Sequence, residues 1–323
     1  MPHAIEIVVP AGQGKERIDL FLTNHLQNAT RSKVQQGIRS GAVLVNGQPV
    51  RPSHHVTPGE MIRVVLPTPP PQEAEPEPIP LSIVYEDETL LVVNKPAGMV
   101  THPGHGNPRG TLVNALLHHC HSLSSVNGPA RAGIVHRLDK DTTGLMVVAK
   151  EDGAHARLAR QFERRTIERE YWAIVWGTFR SPAGVIEASL GRSRSDRKKI
   201  AVVEDGKHAV TQYEVVEEFD YLTLVRLRLR TGRTHQIRVH LAHIHHPVFG
   251  DPIYNGKRIM YGPGTSAQRA EVQTMLGMIS RQALHAKTIA FLHPATNRRC
   301  SFDSSLPDDM VKILTFLRTS AGS

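Results

Sequence analysis

The sequence predicts an α+β fold in two parts: a small N-terminal α/β domain and a larger domain with a mixed, largely antiparallel sheet flanked by helices. Its 323 residues suffice for one large and one small domain. Apolar runs of strand length recur after residue 80, and helix-period segments separate some of them. Half of residues 67–80 are proline, and three others are glutamate. We therefore expect domains at 13–66 and 81–320, joined by a semi-rigid linker.

The N-terminal domain is predicted to contain two helices, a hairpin and one further strand. Helix-like spacing marks the first helix through four apolar residues: Ile18, Leu20, Phe21 and Leu26. Thr30 can cap the second helix, and Gly41 ends it. Two short strands flank Asn46-Gly47, a dipeptide typical of tight hairpin turns, and Met61 to Val65 forms another strand.

The second predicted helix has a basic face. Val34 and Ile38 should point inward, whereas Arg31, Lys33 and Arg39 should point outward. Residues 15–66 resemble the ribosomal-protein S-four-type RNA-binding domain in these segments: Thr30-Arg31-Ser32, Ile38-Arg39-Ser40-Gly41, Val43, Val45-Asn46-Gly47 and Pro58-Gly59-Glu60. The resemblance implies that the three basic residues contact RNA phosphates, which set affinity and orientation but do not read sequence. The alternative is a solvated basic helix.

Residues 81–320 are predicted to form one α+β domain. Strand-length apolar runs occur at four places: Leu90 to Val93, Leu145 to Ala149, Tyr171 to Val175 and Leu222 to Leu229. Helical periodicity marks Thr111 to His118 and Ala154 to Arg164. In the last strand, leucines mix with arginines, which favours antiparallel strands with one packed and one polar face. Residues 257–280, with Gly262-Pro263-Gly264, are predicted as a surface insertion.

The composition favours a polyanionic partner. The formal net charge is +9, and nucleic acid is the commonest partner of proteins with such an excess of basic residues. The alternative explanation is that the charge serves solubility alone. Cys120 and Cys300 are too few for a disulfide framework. The N-terminus shows no secretory pattern, and no apolar run approaches the roughly 18 residues of a membrane span. We expect a soluble cytoplasmic protein, and nothing demands more than a monomer.

A loop dense in charge precedes the apolar run at residue 145. It reads Arg131-Ala-Gly-Ile-Val-His136-Arg137-Leu138-Asp139-Lys140-Asp141-Thr142-Thr143-Gly144. Loops held between rigid elements often carry catalytic residues, although surface ion pairs would explain the same aspartates and basic residues. A protein-kinase loop is excluded because Leu138 separates arginine from aspartate and Gly144 stands where that motif needs asparagine.

The 19 histidines raise the question of a metal site. They cluster in His118-His119-Cys120-His121 and at His240, His243, His245 and His246, but no glutamate stands where a metalloprotease motif needs it. Histidine pairs of this kind more often have a structural role or face RNA than bind a metal ion, so no metal is expected. Gly12-Gln13-Gly14-Lys15 is too short for a phosphate-binding loop.

A second dense motif follows the strand at 222–229. It reads Thr231-Gly232-Arg233-Thr234-His235-Gln236-Ile237-Arg238-Val239-His240. Together with the Asp139 loop, Arg169-Glu170-Tyr171 and Leu284-His285-Ala286, it resembles the RluA-type pseudouridine synthases over nearly all of residues 81–300. The resemblance implies the pseudouridine synthase fold and an enzyme that isomerises uridine in a structured RNA. The implied substrate is large-subunit ribosomal RNA or its assembly intermediate.

The resemblance implies Asp139 as the catalytic carboxylate, with the guanidinium of Arg233 beside it. A carboxylate can attack or stabilise C1′ of the ribose, or remove a sugar proton to give a glycal, and the residues do not choose between these routes. Each route needs ionised Asp139, which a neighbouring guanidinium favours. The isomerisation is redox-neutral, so no cofactor is expected.

The resemblance also assigns residues that handle a flipped base. Tyr171 would stack on the uracil and could take the C5 proton, although a strand aromatic in the core is the simpler role. Arg137 would fill the gap that the base leaves, and Leu284 would floor the pocket. Arg169 departs from the family, where lysine is common, so no catalytic role is assigned to it.

Two other classes of function remain open. A catalytically silent RNA-binding assembly factor would not need Asp139, Tyr171 and Arg233 together. A glycosidase or nucleosidase would need a pair of carboxylates, for which Asp141 is the candidate partner of Asp139. That second class leaves the Gly-Arg-Thr-His-Gln segment without a role.

Overall fold

The computed structural model describes residues 4–26, 31–65, 74–104, 106–193, 196, 199–259 and 264–320. The chain divides into two compact units, Met1–Pro71 and Gln72–Ser323. Each has its own hydrophobic core. Among the described residues, no helix combines the length and the apolar character that a membrane crossing requires.

The described residues of the first unit form two helices and two small sheets. Its elements are β1 Ala4–Val8, β2 Glu16–Arg17, α1 Ile18–His25, α2 Arg31–Arg39, β3 Val43–Val45, β4 Gln48–Pro49, β5 His55–Val56 and β6 Met61–Val65. One sheet has the order β1-β6-β3-β4, and β2 pairs with β5. The predicted hairpin is confirmed: Asn46 and Gly47 both have positive φ, 48° and 80°, as a two-residue turn between β3 and β4 requires.

The core of the first unit follows the predicted helical spacing with one exception. Ile18 and Phe21 of α1 are buried, as are Val34 and Ile38 of α2, whereas Leu20 is exposed. Helix α2 ends at Arg39, and Gly41, two residues later, has a φ of +77°, a conformation that glycine adopts without strain. The predicted cap Thr30 lies outside the described residues.

The second unit has ten strands and five α-helices among its described residues. The strands are β7 Ile83–Glu86, β8 Leu90–Lys95, β9 Thr143–Ala149, β10 Glu168–Trp176, β11 Ala183–Arg192, β12 Ile200–Val202, β13 Lys207–Glu218, β14 Leu222–Leu229, β15 Leu284–Leu292 and β16 Arg299–Asp303. The helices are α3 Leu112–His119, α4 Asp152–Glu163, α5 Gln236–His243, α6 Ser266–Met278 and α7 Asp308–Ser320.

All ten strands belong to one mixed sheet, as predicted. Its order is β12-β11-β13-β14-β10-β15-β9-β8-β7, with β16 on the second half of β15. Every pair is antiparallel except β9 and β15, which run parallel at the pairs His285–Thr143 and Ala286–Gly144. This parallel contact joins segments about 140 residues apart and brings the start of β15 beside the end of the Asp139 loop.

Two details differ from the sequence predictions. Leu222 to Val225 are all buried, so both faces of β14 are covered there, and the mixed polar pattern begins only at Arg226. The predicted insertion at 257–280 is more than a surface feature, because Val272 and Met275 of α6 are fully buried in the main core. Gly262 and Pro263 lie outside the described residues.

Candidate active site

Asp139 lies in a cleft of about 440 Å³ in the second unit. Four separate parts of the chain line this cleft: residues 135–139 with Thr142, five residues from Phe162 to Tyr171, residues 229–238, and Leu284. The predicted site residues Arg137, Asp139, Tyr171, Arg233 and Leu284 therefore meet at one place, although long stretches of sequence separate them.

Backbone hydrogen bonds hold the Asp139 loop in a defined turn. Thr101 Oγ1 donates to the carbonyl of Leu138 at 3.0 Å, and the amide of Thr142 donates to the carbonyl of Asp139 at 3.1 Å. Thr101 is buried, so its hydroxyl has little competing water. The turn is therefore fixed by one hydrogen bond within the loop and one from Thr101, which lies outside it.

Lys95, at the end of β8, is a second anchor of this loop. Its fully buried ammonium donates to the carbonyls of Pro96 at 2.9 Å, Met99 at 2.8 Å and Lys140 at 3.0 Å. Burial lowers the pKa of Lys95 to about 7, while the charges of two aspartates oppose this. Three carbonyl acceptors match the three donors of an ammonium group, so they favour its charged form.

Arg281 ties the loop to the C-terminal helix α7. Its Nη1 donates to the carbonyl of Asp141 at 3.1 Å, and its Nε and Nη2 form a bidentate pair with Asp309, both at 2.7 Å. Gln282 adds a hydrogen bond from its Nε2 to Thr142 Oγ1 at 3.1 Å. No sequence motif marks either anchor, because both act through neighbours about 140 residues away.

The guanidinium beside Asp139 belongs to Arg238, so the predicted pairing with Arg233 is wrong. Arg238 Nη1 lies 3.2 Å from Asp139 Oδ2, and its Nε and Nη2 donate to Asp251 at 2.6 and 2.8 Å. Arg233 is exposed at the cleft, and its side chain has no ion pair or hydrogen bond with any described residue. Helix α5 begins at Gln236, which turns Arg238 inward and leaves Arg233 in the loop before the helix.

Arg238 links two carboxylates in a nearly dry environment. Its side chain and that of Asp251 are buried, while the side chain of Asp139 remains 18% exposed. Burial opposes the charge, but the hydrogen bonds and charge of Asp251, followed by the charge of Asp139, raise the pKa of Arg238. Arg238 therefore stays cationic beside the Asp139 carboxylate.

Tyr171 and Leu284 form the apolar part of the cleft. Tyr171 follows a bulge in the pairing of β10 with β15, and such bulges commonly redirect a side chain near an active site. Both side chains are almost fully buried. Burial raises the pKa of Tyr171, so its hydroxyl keeps its proton. Arg137 lines the cleft and is exposed.

His136 is a structural histidine. Its Nε2 accepts the amide hydrogen of Val147 at 3.0 Å, and its ring stacks on Phe162 at 4.7 Å. Burial, together with the nearby charge of Arg169, lowers the pKa of His136 to about 3. The ring is therefore neutral at ordinary pH. The guanidinium of Arg169 lies over Phe162 at 5.4 Å and contributes positive charge to the cleft.

The first unit contains the three residues predicted to bind RNA. Arg39 is exposed, and the side chain of Lys33 lies outside what the structure describes. Arg31 is half exposed, but its Nε donates to buried Asp19 at 3.0 Å. Burial opposes ionisation of Asp19, yet hydrogen bonds from Arg17, Gln35 and Arg31 lower its pKa. Arg31 therefore has a structural role in addition to any contact with RNA.

One group of described residues has the arrangement of a metal site, Glu86, His119 and Cys120. Their possible ligand atoms lie within 4.8 Å of one another. The Glu86 carboxylate already binds His119 at 2.9 Å and Lys150 at 3.0 Å. These contacts form a surface ion-pair network, and none of the three residues lines the Asp139 cleft.

Comparison with known proteins identifies the class. Residues 89–243 match the family described as "RNA pseudouridylate synthase", and residues 16–62 match the "S4 domain". A solved structure, "Human RNA Pseudouridylate Synthase Domain Containing 4", superimposes with a TM-score of 0.56 at 28% identity, covering 73% of this chain and 93% of that one. The fold is thus that of the pseudouridine synthases, preceded by an S4 domain.

Relatives that match nearly the whole chain show the family to which it belongs. It is 43% identical over 316 residues to "Uncharacterized RNA pseudouridine synthase YlyB" of Bacillus subtilis, covering 98% of this chain and 99% of the relative. It is 43% identical over 311 residues to "Ribosomal large subunit pseudouridine synthase D" of Escherichia coli, covering 96% and 93%. The chain therefore belongs to the RNA pseudouridine synthases and is an isomerase.

Proposed function

We propose that this enzyme converts specific uridines of large-subunit (23S) ribosomal RNA to pseudouridine, with Asp139 as the catalytic carboxylate. The observation that carries the proposal is the position of Asp139 in the cleft, paired with buried Arg238. The substrate follows from the relatives named ribosomal large subunit pseudouridine synthase D, at 42–45% identity. The segments Asn107-Pro108-Arg109-Gly110-Thr111-Leu112 and Arg131-Ala132-Gly133 favour this D branch over the related C branch. Such an enzyme works where ribosomes assemble, which is the cytoplasm in a bacterium.

The geometry around Asp139 suits chemistry at C1′ of the ribose. Arg238 engages Oδ2, while Oδ1 has no hydrogen-bond partner among the described residues and is available to substrate. During isomerisation the C1′–N1 bond breaks, the uracil turns, and a C5–C1′ bond forms. C5 then loses its proton, and N1 gains one. An ionised Oδ1 can attack or stabilise C1′ in the first step, or accept a sugar proton.

The target uridine must leave its stack before this chemistry begins, because a helix encloses C1′ and C5. The cleft offers the ring of Tyr171 for stacking and Leu284 as an apolar floor. We propose that the exposed side chain of Arg137 fills the gap that the flipped base leaves in the RNA. Arg233, at the same cleft, is available for the RNA backbone. The first unit, through Arg39, Lys33 and part of Arg31, adds phosphate contacts.

The alternatives are less well supported by the cleft. A glycosidase would need a second carboxylate facing Asp139, but Asp141 is not among the cleft-lining residues. Burying the Arg238–Asp251 ion pair costs free energy of desolvation. A catalytically silent RNA-binding protein would have no need to hold Asp139 with such a pair.

The test is Asp139→Asn, with Asp141→Asn as the matched control. Each variant is incubated with unmodified 23S rRNA, and pseudouridine is mapped by carbodiimide-dependent primer-extension stops, with tritium release from 5-tritiated uridine giving the rate. We expect the Asp139→Asn protein to fold and bind RNA but to make no pseudouridine, since an amide cannot act as an anionic nucleophile or base. Asp141→Asn should stay active. Single-turnover rates near wild type for Asp139→Asn would contradict the mechanism.

A further inference from the structure

His235 lies between Asp139 and a buried tyrosine. Its Nε2 is 3.8 Å from Asp139 Oδ2, and its Nδ1 is 2.8 Å from the hydroxyl of Tyr254. The residue immediately precedes helix α5 and has φ of 54°, in the left-handed region. That backbone conformation directs the imidazole into the cleft next to Arg238. The uridine chemistry proposed above gives this ring no role.

The hydrogen bonds of Tyr254 determine which nitrogen of His235 carries the proton. The amide of Ile200, in β12, donates to the Tyr254 hydroxyl at 3.1 Å. Burial raises the pKa of Tyr254, so the phenol keeps its own proton. Among the described residues, His235 Nδ1 is the one acceptor within reach of that proton. Nδ1 is therefore the acceptor, and the neutral imidazole carries its hydrogen on Nε2, which faces Asp139.

We propose that His235 is a positioning residue that donates its Nε2–H to Oδ2 of Asp139, and that Tyr254 holds it in this tautomer. Arg238 binds the same oxygen, so the two donors together orient the carboxylate with Oδ1 toward the substrate. The distance of 3.8 Å exceeds a hydrogen bond and shortens when a uridine fills the cleft, as catalytic hydrogen bonds commonly do. The proposal rests on the catalytic role of Asp139 stated above.

The charges around His235 favour its neutral form on balance. Burial lowers the pKa of the ring, and the cations Arg238 and Arg137 act in the same direction. Asp139 and Asp251 act in the opposite direction. The ring of Tyr254 lies edge-on at 5.6 Å and adds no charge. A protonated His235 would pair with Asp139 as a cation and weaken the carboxylate at C1′, so the reaction rate should fall at acidic pH.

Three substitutions separate the parts of this arrangement. His235→Asn tolerates the left-handed backbone and can still meet Tyr254, but its amide is too short to reach Asp139. His235→Gln restores a donor at about the position of Nε2. Tyr254→Phe removes only the hydroxyl that selects the tautomer. His243→Asn, which changes an exposed histidine at the end of helix α5, is the matched control.

The kinetic experiment measures RNA affinity and the saturating single-turnover rate across a pH series. We expect His235→Asn to lower the maximal rate about 10- to 100-fold with affinity unchanged, the loss typical when the hydrogen-bond partner that orients a metal-binding side chain is removed. His235→Gln should recover part of that loss. Tyr254→Phe should move the acidic limb of the rate profile to higher pH, because Nδ1 becomes free to accept a proton. Equal maximal rates for His235→Asn and wild type would overturn the proposal.

A readout without substrate tests the tautomer directly. In two-bond ¹H–¹⁵N correlation spectra of the full chain, the His235 signals are those lost in His235→Asn. We expect the pattern of an Nε2–H ring in the wild type and its loss or mixing in Tyr254→Phe. An Nδ1–H pattern in the wild type would refute the assignment. If the wild type makes no pseudouridine, the proposed function fails, while the tautomer result still decides the arrangement of His235.

Discussion

Asp251 illustrates how a residue outside the cleft determines the chemistry inside it. It does not line the cleft, yet its two oxygens hold Arg238 at 2.6 and 2.8 Å. Asp251 Oδ1 also accepts the amides of Ile253 and Tyr254 at 2.8 and 3.1 Å. The carboxylate therefore fixes both the arginine of the site and the turn that carries Tyr254.

Asp251→Asn should impair both stability and rate. Without the Asp251 charge, buried Arg238 keeps only the single contact to part-exposed Asp139, so we expect the unfolding free energy to fall by up to about 3–5 kcal/mol. The maximal rate should fall because Arg238 can rotate away from Asp139. Urea unfolding and single-turnover kinetics measure the two effects. Arg233→Gln is the control, and it should change RNA affinity while leaving stability unaltered. A stable, fully active Asp251→Asn protein would show that Arg238 does not need this partner.

Tyr171→Phe tests the role of the phenol. Phenylalanine keeps the stacking face and removes only the hydroxyl. We expect RNA affinity to be retained and most turnover to be lost if the hydroxyl participates in removing the C5 proton. Tritium release from 5-tritiated uridine measures that step. Full activity of the phenylalanine variant would leave stacking as the only role, a result that the protonated state of the buried phenol would explain.

At the scale of elements, the parallel contact between β9 and β15 assembles the cleft. It lies where Gly144 of β9 pairs with Ala286 of β15, two residues after Leu284. Gly144 has φ of +118°, and a β-carbon on it would lie 2.2 Å from the carbonyl oxygen of Ala286. Only glycine allows the two strands to approach this closely while the Asp139 loop enters β9.

Gly144→Ala should therefore be strongly destabilising. Strain at positive φ and a backbone clash act together, and we expect a loss of about 2–4 kcal/mol in unfolding free energy. Gly153→Ala is the matched control, because Gly153 lies in helix α4 with nothing near its missing β-carbon. That change should stabilise by roughly 0.5–1 kcal/mol. Urea unfolding measures the change in unfolding free energy of both variants, which we expect to be negative for Gly144→Ala and positive for Gly153→Ala. Equal changes would contradict the packing argument.

At the scale of the whole molecule, the cleft and the S4 domain belong to different compact units. The second unit contains the whole cleft, whereas the first is an S4 domain with exposed basic residues on α2. The net charge of +9 favours RNA binding that depends on salt. The first unit should therefore contribute affinity, and the second unit the rate of the chemical step.

Arg39→Ala tests this division. Each lost phosphate contact should lower the log–log salt slope of RNA binding by about 0.7 to 0.9. The maximal single-turnover rate should stay unchanged, because Arg39 belongs to the other unit. Filter binding at several salt concentrations gives the slope. Arg63→Ala, an exposed arginine on strand β6, is the control with no expected change. An unaltered slope for Arg39→Ala would show that this residue does not contact phosphate.

By itself the sequence determined what depends on neighbours along the chain. The strand Leu222–Leu229, the turn at Asn46-Gly47 and the inward faces of Val34 and Ile38 follow from local periodicity and turn chemistry, and the structure has them as predicted. The mixed, largely antiparallel sheet was also predicted. Alternation of apolar and polar residues along a strand indicates that one face is packed and the other is polar, as is common in antiparallel sheets.

Only the tertiary structure decided which residues act on Asp139. The motif from Thr231 to His240 contains both Arg233 and Arg238. The position at which helix α5 begins determines which of the two turns inward. The anchors Lys95 and Arg281 carry no local signal for this role, since the loop carbonyls that they bind, those of Lys140 and Asp141, are far away in sequence. A buried charge is stable only where distant elements bring it acceptors, and this pairing is created by the completed fold.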